Sequence, residues 1–569
     1  MSVPITVPKA GLTMTDGVIE KWFVKVGSHV GADEAVAEIS TEKVTIEVLS
    51  PVDGTISEIC FNEGDVIKVG EEIAKISLGN QSSTKLAISS GNAEFPLINN
   101  EYPSSNESDV FEAVVIGGGP GGYVAALRVA QLGGKVALVE KDKLGGICLN
   151  KGCIPTKTLL QTAELFRKIK VAAEYGIHVQ LNSLNIEEAY QRKDRVIENL
   201  NKGIETLLEK AKVKLIRGTA EIIDETTVRV VSDSIETLHA KNIIIATGSR
   251  PAPLKLEVSH GDVLTSDELL KQPVLPKSLV IIGGGYIGME FASLFSGLGV
   301  KVTVVEAQNR VLSSLDFEIA DELIKLMKKE KVEFYTDSHV LRVKRSGDEQ
   351  KVVVIRKENE EHELYADIVL SAVGRVPVLP RLGPLEHLVV NGALPVDEKM
   401  RTAVPSVYAI GDVTGGIQLA HAASTQGIVA AKSIMGIESC YKPKSVPAGI
   451  FTYPEIAFVG ATEDDLKSHG IEYSVGKFSF RSNGRALSRG ESHGFVKILS
   501  GKIYGEILGV HIVGVDAVDL IAEAVLAISL EATTDELIRA IHVHPSLSEA
   551  IAESAMDSAF RPLHKLKTK

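Results

Sequence analysis

Two stretches of this chain repeat one pattern, and that pattern admits few folds. FEAVVIGGGPGGYVAALRVAQLGGKVALVEKD (111–142) and SLVIIGGGYIGMEFASLFSGLGVKVTVVE (278–306) each read as an apolar strand, a glycine turn, a small-residue helix and a second apolar strand ending in an acid. Gly117, Gly119 and Gly122 fill G-x-G-x-x-G in the first, and Gly283, Gly285 and Gly288 fill it in the second. The acids, Glu140 and Glu306, each follow the first glycine by 23 positions. Glycines there let the backbone approach a pyrophosphate and let the helix lie close on the strand. The helix N-terminus offsets the phosphate charge, and the acid takes ribose hydroxyls. A glycine triplet alone is weak evidence of a dinucleotide site, but strand, helix and terminal acid together make it strong. Two such units imply two Rossmann-like α/β domains and two dinucleotides. Hydride chemistry needs a donor and an acceptor, so a flavin and a nicotinamide are expected. Glu306 would repel a 2′-phosphate, which favours NAD over NADP, with Arg310 close enough to temper that preference.

Between the units lies GGICLNKGCIPTK (145–157). Cys148 and Cys153 are spaced for a small-ring disulfide, and such a pair in a cysteine-poor chain reads as redox chemistry. Pro155 suits a first helical turn, and Leu159, Leu160, Ala163 and Phe166 continue a helical period. Cys153 then starts a helix, where the dipole favours a thiolate, with Lys157 one turn on. A zinc ligand pair or two buried thiols are the plainer alternatives, although no second ligand pair stands nearby.

At 569 residues the chain has room for about three to four domains. A net charge of −13, with Lys and Arg spread along the chain, argues against nucleic acid as a partner. The four cysteines are Cys60, Cys148, Cys153 and Cys440. Such sparse use fits a reducing, cytoplasmic setting. The N-terminus MSVPITVPKAG lacks the basic and apolar regions of a secretory signal, and no uncharged apolar run is long enough for a membrane span.

Residues 1–79 contain an internal repeat. Gly17 aligns with Gly54, Gly27 with Gly64, Val36 with Ile73, Ala37 with Ala74 and Ile39 with Ile76, a constant offset of 37 positions. Both halves alternate apolar and polar residues between glycine turns, which predicts a small all-β barrel or sandwich with quasi-two-fold symmetry. AEISTEKVTIEVLS alternates on both sides of Thr41–Val44. This places Lys43 on a hairpin tip, where a lysine is ordinarily a solubilising charge. Residues 80–109, with seven serines and five asparagines, read as a flexible linker spanning about 30 Å.

Further on, NIIIATGSRP and DIVLSAVGRVP are buried strands followed by glycine turns, and SVYAIGDVTGGIQLAHAA is a strand ending in Asp412, then a loop and a helix start. From about Pro443, mixed strand and helix patterns predict an α+β domain. Its end, IHVHPSLSEAIAESA, offers His542 and His544 as general bases for a thiol, with Glu549 able to orient either. Ser546 to Glu549 also reads as a capping box, so capping and orienting are expected to compete for one carboxylate.

Two resemblances sharpen this reading. Residues 3–78, with their glycine spacing and STEKV tip, resemble the lipoyl/biotinyl domain family. That implies a prosthetic group on Lys43, and Glu42 and Val44 in place of the biotinyl methionines favour lipoate. From Phe111 to Pro562, GGICLNKGCIPTK, ATGSRP, SAVGRVP and AIGDV resemble the flavin-dependent pyridine-nucleotide disulfide oxidoreductases, and in detail the branch that oxidises dihydrolipoamide. This resemblance implies FAD contacts at Gly117, Gly119, Gly122, Glu140, Lys157, Ala220, Gly248, Asp412, Leu419, Ala420 and His421. On the NAD side it implies Gly283, Gly285, Gly288, Glu290, Glu306 and Gly374, with Glu290 pairing Lys157. Cys148 would exchange with the dithiol and Cys153 would contact the flavin. The H-P-S-L-S-E match implies that His544 is the base and Glu549 its partner, acting on the other subunit of a homodimer.

The resulting expectation is a multidomain chain. It comprises a lipoyl domain (1–79), a linker (80–109), an FAD-binding domain (110–254) completed by a central part (376–443), an NAD-binding domain (255–375) and a dimerisation domain (444–569). The function implied is reoxidation of dihydrolipoyl groups through a redox disulfide and FAD to NAD⁺. These groups would belong to the E2 subunit of a 2-oxo-acid or acetoin dehydrogenase complex, or to the chain's own lipoyl domain. A mercuric reductase would carry a C-terminal cysteine pair, whereas Cys440 is the last cysteine here. A glutathione reductase would favour NADPH. A non-enzymatic carrier subunit would have no use for the cysteine pair and the base.

Overall fold

The computed structural model describes residues 2–7, 16–31, 34–40, 45–68, 70–77, 110–180, 183–256, 261–346 and 350–566. Lys43 and the expected linker at 80–109 lie outside the described residues. The chain divides into two units, Met1–Leu97 and Ile98–Lys569.

In the first unit the repeat becomes symmetry. Its strands are β1 (Ser2–Thr6), β2 (Asp16–Trp22), β3 (His29–Val30), β4 (Ala35–Ser40), β5 (Thr45–Leu49), β6 (Gly54–Ile59), β7 (Val66–Lys68) and β8 (Glu72–Ser77). They form two four-stranded sheets, ordered β1-β8-β6-β3 and β5-β4-β2-β7. The sequence offset carries β2 onto β6 and β4 onto β8. β3 completes the sheet of the second half and β7 that of the first, so neither half closes its apolar face alone. Ile19, Val36 and Ile39 from one half, and Ile56, Ile73 and Ile76 from the other, are each at most 1% exposed. Each such burial stabilises by about 1.5–3 kcal/mol. β4 and β5 pair antiparallel up to Ser40 and Thr45, the two sides of the expected hairpin.

The second unit opens with β9 (Val110–Ile116), α1 (Pro120–Gln131), β10 (Val136–Glu140), α2 (Gly146–Lys151), α3 (Cys153–Val171), α4 (Ile186–Lys210), β11 (Lys214–Arg217), β12 (Thr219–Ile222), β13 (Thr227–Val231) and β14 (Ile235–Ile245). Its sheet runs β11-β10-β9-β14-β13-β12, and a returning strand, Val407–Ala409, pairs in parallel with the end of β14. The apolar run of β9 lies between parallel neighbours β10 and β14, as a strand covered on both faces must. The expected strand into Asp412 stops earlier. It ends at Ala409, and Gly411, at φ +73°, turns the chain into a 3₁₀ turn, Gly411–Thr414, that carries Asp412.

The second glycine unit builds a five-stranded parallel sheet in the order Leu264–Thr265, Ile368–Ser371, Ser278–Ile282, Lys301–Val305, Glu333–Tyr335. The C-terminal part is an antiparallel five-stranded sheet, Ala448–Ile450, Glu455–Gly460, Ile507–Gly514, Phe495–Gly501, Tyr473–Ser479, with helices including Ala517–Ser529 and Glu549–Ser558. No helix among the described residues is long and apolar enough to cross a membrane.

Candidate active site

Cys148 lies on α2 and Cys153 is the first residue of α3, with Gly152 making the bend between them. Both are free thiols. The Cys148 S–H hydrogen-bonds to Cys153. This bond pulls the Cys153 thiol down to about 7 and holds Cys148 well above the ordinary thiol range. Burial raises both, and the Lys157 ammonium lowers both. The pair is therefore asymmetric: Cys153 is the stabilised thiolate, at a helix N-terminus, and Cys148 keeps the proton.

Both cysteines line a cavity of about 740 Å³. Gly117, Gly119, Glu140, Lys157, Ala220, Gly248, Asp412, Leu419, Ala420 and Glu290 line it too. The first glycine loop fits a pyrophosphate on structural grounds. Gly117 sits at φ +106°, and a Cβ there would come within 2.4 Å of the Ala246 carbonyl oxygen. A Cβ on Gly122 would lie 1.8 Å from the Gly117 oxygen, so this glycine seats α1 on the strand and does not itself line the cavity. Gly119 begins α1 with no side-chain cap, leaving the helix N–H groups free for an anion.

The second loop repeats that geometry. Gly283 is also at φ +106°, 2.4 Å from the Ala372 oxygen by the same measure, and Gly288 would clash with Gly283 at 2.0 Å. Gly283, Gly285, Gly288, Glu306 and Gly374 do not line the cysteine cavity. The helix after this loop, Tyr286–Gly297, does reach it, through Tyr286, Ile287, Glu290 and Phe291. His421 departs from expectation. It also stays off the cavity lining, and its ring meets the Pro447 carbonyl at 2.6 Å, because the first turn of its helix points that side chain outward while Leu419 and Ala420 face inward.

Lys157 and Glu290 meet as the resemblance implies. The ammonium donates to both carboxylate oxygens at 2.7 and 2.8 Å, and it sits 4.5 Å from the Phe451 ring centroid. Asp412 accepts from Ser249 Oγ, which in turn accepts from Arg375 Nε at 2.8 Å. Ser249 and Arg375 both line the cavity, and they lie within ATGSRP and SAVGRVP, whose pattern gives neither residue a role. They stand 126 residues apart, so no local spacing signals the contact.

His544 and Glu549 also meet. His544 Nδ1 lies 2.8 Å from Glu549 Oε1, while Glu549 Oε2 accepts the Ser546 N–H at 2.8 Å. The expected competition does not arise, because each oxygen serves one partner. Burial opposes it, yet the Ser546 N–H and His544 hold the Glu549 carboxyl below the usual carboxylate range. His542 has a different partner, Glu523, at 2.9 Å. His544 is 82% exposed on its side chain and does not line its own chain's cavity. Beside it, Ile541 and Val543 are 99% and 76% exposed.

A family model described as pyridine nucleotide-disulphide oxidoreductase matches residues 111–427, and the model of that family's dimerisation domain matches 446–555. A model described as biotin-requiring enzyme matches 3–76. The chain is 42% identical over 471 residues to a dihydrolipoyl dehydrogenase of Bacillus subtilis, covering 80% of this chain and 99% of that one. It is 40% identical over 458 residues to that of Geobacillus stearothermophilus, covering 80% and 97%. Among solved structures, LpdA from Mycobacterium tuberculosis superposes with a TM-score of 0.73 at 30% identity, covering 78% of this chain and 98% of that one. The HOCl-induced flavoprotein disulfide reductase RclA from Escherichia coli superposes at 0.69 and 30%, covering 78% and 99%.

Proposed function

The chain belongs to the pyridine nucleotide-disulphide oxidoreductase family, and we propose from that premise that it reoxidises the dihydrolipoyl groups of a 2-oxo-acid or acetoin dehydrogenase complex. Its activity is that of an FAD- and NAD-dependent dihydrolipoyl dehydrogenase, in a homodimer. The observation that carries the mechanism is the asymmetry of the cysteine pair.

In the oxidised enzyme Cys148 and Cys153 form the disulfide. Thiol–disulfide exchange goes fastest when the leaving sulfur has the lower pKa. Cys153, held near 7 at the head of α3, is that sulfur, so the substrate attacks Cys148. His544 takes the substrate proton. Glu549 fixes the ring by binding Nδ1, which leaves Nε2 as the base. The dihydrolipoyl thiolate bonds to Cys148 as the Cys153 thiolate leaves. The second substrate thiol then displaces Cys148, closing the lipoyl disulfide and leaving the enzyme with two reduced cysteines. Gly117, Gly119, Glu140, Lys157 and Asp412, which line the cavity, would hold FAD, and when bound it would supply two-electron transfer from the cysteines to NAD⁺. Lys157, fixed by Glu290, keeps a positive charge beside Cys153.

His544 serves the cavity of the other subunit. Lys43, which in the sequence falls between β4 and β5, carries lipoate, and the dithiol comes from that arm or from an E2 subunit. The chain is divided as lipoyl domain 1–79, linker 80–109, FAD-binding 110–254 and 376–443, NAD-binding 255–375 and dimerisation domain 444–569. The family matches to 3–76, 111–427 and 446–555 support this division. Sparse cysteines support a cytoplasmic setting. The test is NAD⁺ reduction by free dihydrolipoamide, with NADP⁺ and glutathione as the rival cosubstrate and thiol, beside an intact mass of the native chain. Activity confined to dihydrolipoamide and NAD⁺, and a lipoyl adduct on Lys43, are expected. Preference for glutathione and NADP⁺ would overturn the reading.

A further inference from the structure

α3 carries a second cation that binds the same two elements as Lys157, through different residues. Lys157 binds Glu290 of helix Tyr286–Gly297 and lies over the Phe451 ring, while the Phe451 N–H donates to Glu290 at 3.1 Å. Further along α3, Arg167 binds the carbonyl of Ser293, one turn on from Glu290, at 2.7 Å and lies 5.0 Å from the Tyr453 ring centroid. The Tyr453 N–H donates to Ser293 Oγ at 2.9 Å. The two sets are the same arrangement twice: a cation on α3, a residue of the opposing helix, and an aromatic residue of the 451–453 segment that contributes both its N–H and its ring.

Arg167 adds a clamp that Lys157 lacks. Its Nε and Nη2 grip both oxygens of Glu330 at 2.9 and 2.8 Å, a planar fork on a carboxylate. Glu330 caps the helix Phe317–Lys329, so a third helix joins. The guanidinium is seated against Gly297, where an added Cβ would come within 2.4 Å of it. Its side chain is only 11% exposed. Arg167 does not line the cysteine cavity.

We infer that Arg167 is a positioning residue for the redox centre, holding helix Tyr286–Gly297 against α3 so that Glu290 keeps Lys157 beside Cys153. This rests on the function proposed above. The mechanical reason is leverage. Lys157 and Arg167 are about 15 Å apart along α3. Between them Leu159, Leu160 and Ala163 of α3 share one apolar core with Phe291, Ala292, Leu294 and Phe295, which sets the helices' separation but not their register, and the directional Arg167 contacts fix the far end of that packing.

The test uses FAD-loaded full-length enzyme carrying Arg167→Met, Arg167→Lys, Glu330→Gln, Glu290→Gln and the Arg167→Met/Glu290→Gln pair. One readout is the pH midpoint of Cys153 alkylation, followed by peptide mapping. The other is the split between kcat and KM for dihydrolipoamide. Arg167→Met and Glu330→Gln are expected to raise the midpoint by about 0.5 unit or more, as Lys157 loosens from the thiolate. They are also expected to lower kcat about 3–10-fold with KM for the dithiol unchanged, and Arg167→Lys to restore part of both. In the Glu290→Gln background, Arg167→Met should add less than about two-fold, because both substitutions break one chain of contacts. Midpoints equal to wild type, or effects that multiply fully with Glu290→Gln, would overturn the inference. Should Arg167→Met not fold, Glu330→Gln and Arg167→Lys carry the same readouts. Wild-type enzyme without dihydrolipoamide-dependent NAD⁺ reduction would overturn the underlying function, and the alkylation midpoints would still decide the strut.

Discussion

Glu140 and Glu306 grip their glycine loops through the same pair of bonds. Glu140 accepts the Gly118 N–H at 2.6 Å and the Asp142 N–H at 2.7 Å, and Glu306 accepts the Gly284 N–H at 2.7 Å and the Gln308 N–H at 2.9 Å. Each acid is therefore fixed before a dinucleotide arrives, with its charge at the strand end where a ribose would lie.

Replacing Glu306 by Ala removes the charge that repels a 2′-phosphate. The ratio of kcat/KM for NADH over NADPH is expected to fall about tenfold or more. Glu140→Ala should leave that ratio alone and lower the FAD content of purified protein. An unchanged NADH preference in Glu306→Ala would contradict the assignment of the second loop.

The cysteine asymmetry has a pH signature. Cys153 is protonated below about 7 and a thiolate above it, so its alkylation rate in reduced enzyme should rise with pH through that value and then level. Cys148, which keeps its proton, should react slowly throughout. If Cys148 were the faster of the two at neutral pH, the leaving-group argument would fail.

His544→Gln removes the base and should lower kcat with dihydrolipoamide by about 10²–10⁴-fold. Glu549→Gln keeps the imidazole and one acceptor oxygen for Ser546, so its loss should be smaller. Mixed dimers of His544→Gln and Cys148→Ser chains should regain activity, since one of the two shared sites is intact. Mixed dimers without any rescue would place both residues in one chain's site.

The part built on the second glycine loop and the part matched as a dimerisation domain are tied by a buried charge cluster. Lys497, fully buried, binds Asp316 at 2.9 Å, Glu318 at 2.8 Å and Glu463 at 2.5 Å. Lys497→Met would leave three carboxylates facing one another, and about 3–5 kcal/mol of stability should be lost in chemical denaturation. A loss below about 1 kcal/mol would mean that the cluster relaxes into water.

Local pattern made much of this legible. Both glycine loops, the strand pairs around them and the helix starting at Cys153 follow from residues close in sequence, and the first unit's sandwich follows from its offset repeat. Partnerships across the chain did not. Lys157 and Glu290 are 133 residues apart and came only from the resemblance, and Arg167 with Glu330, 163 apart, gave no signal. The two roles of Glu549 are compatible because its two oxygens act separately, which a one-letter code does not show. Asp412 reads as a strand end in the sequence because the positive φ of Gly411 is invisible in an apolar run.

The central claim is that Cys148 receives the substrate and Cys153 relays to the flavin, and Cys148→Ser tests it most directly. The variant should lose dihydrolipoamide-dependent NAD⁺ reduction by about 10³-fold or more while FAD stays bound and NADH still reduces an artificial electron acceptor. Dihydrolipoamide oxidation at the wild-type rate in that variant would contradict the account.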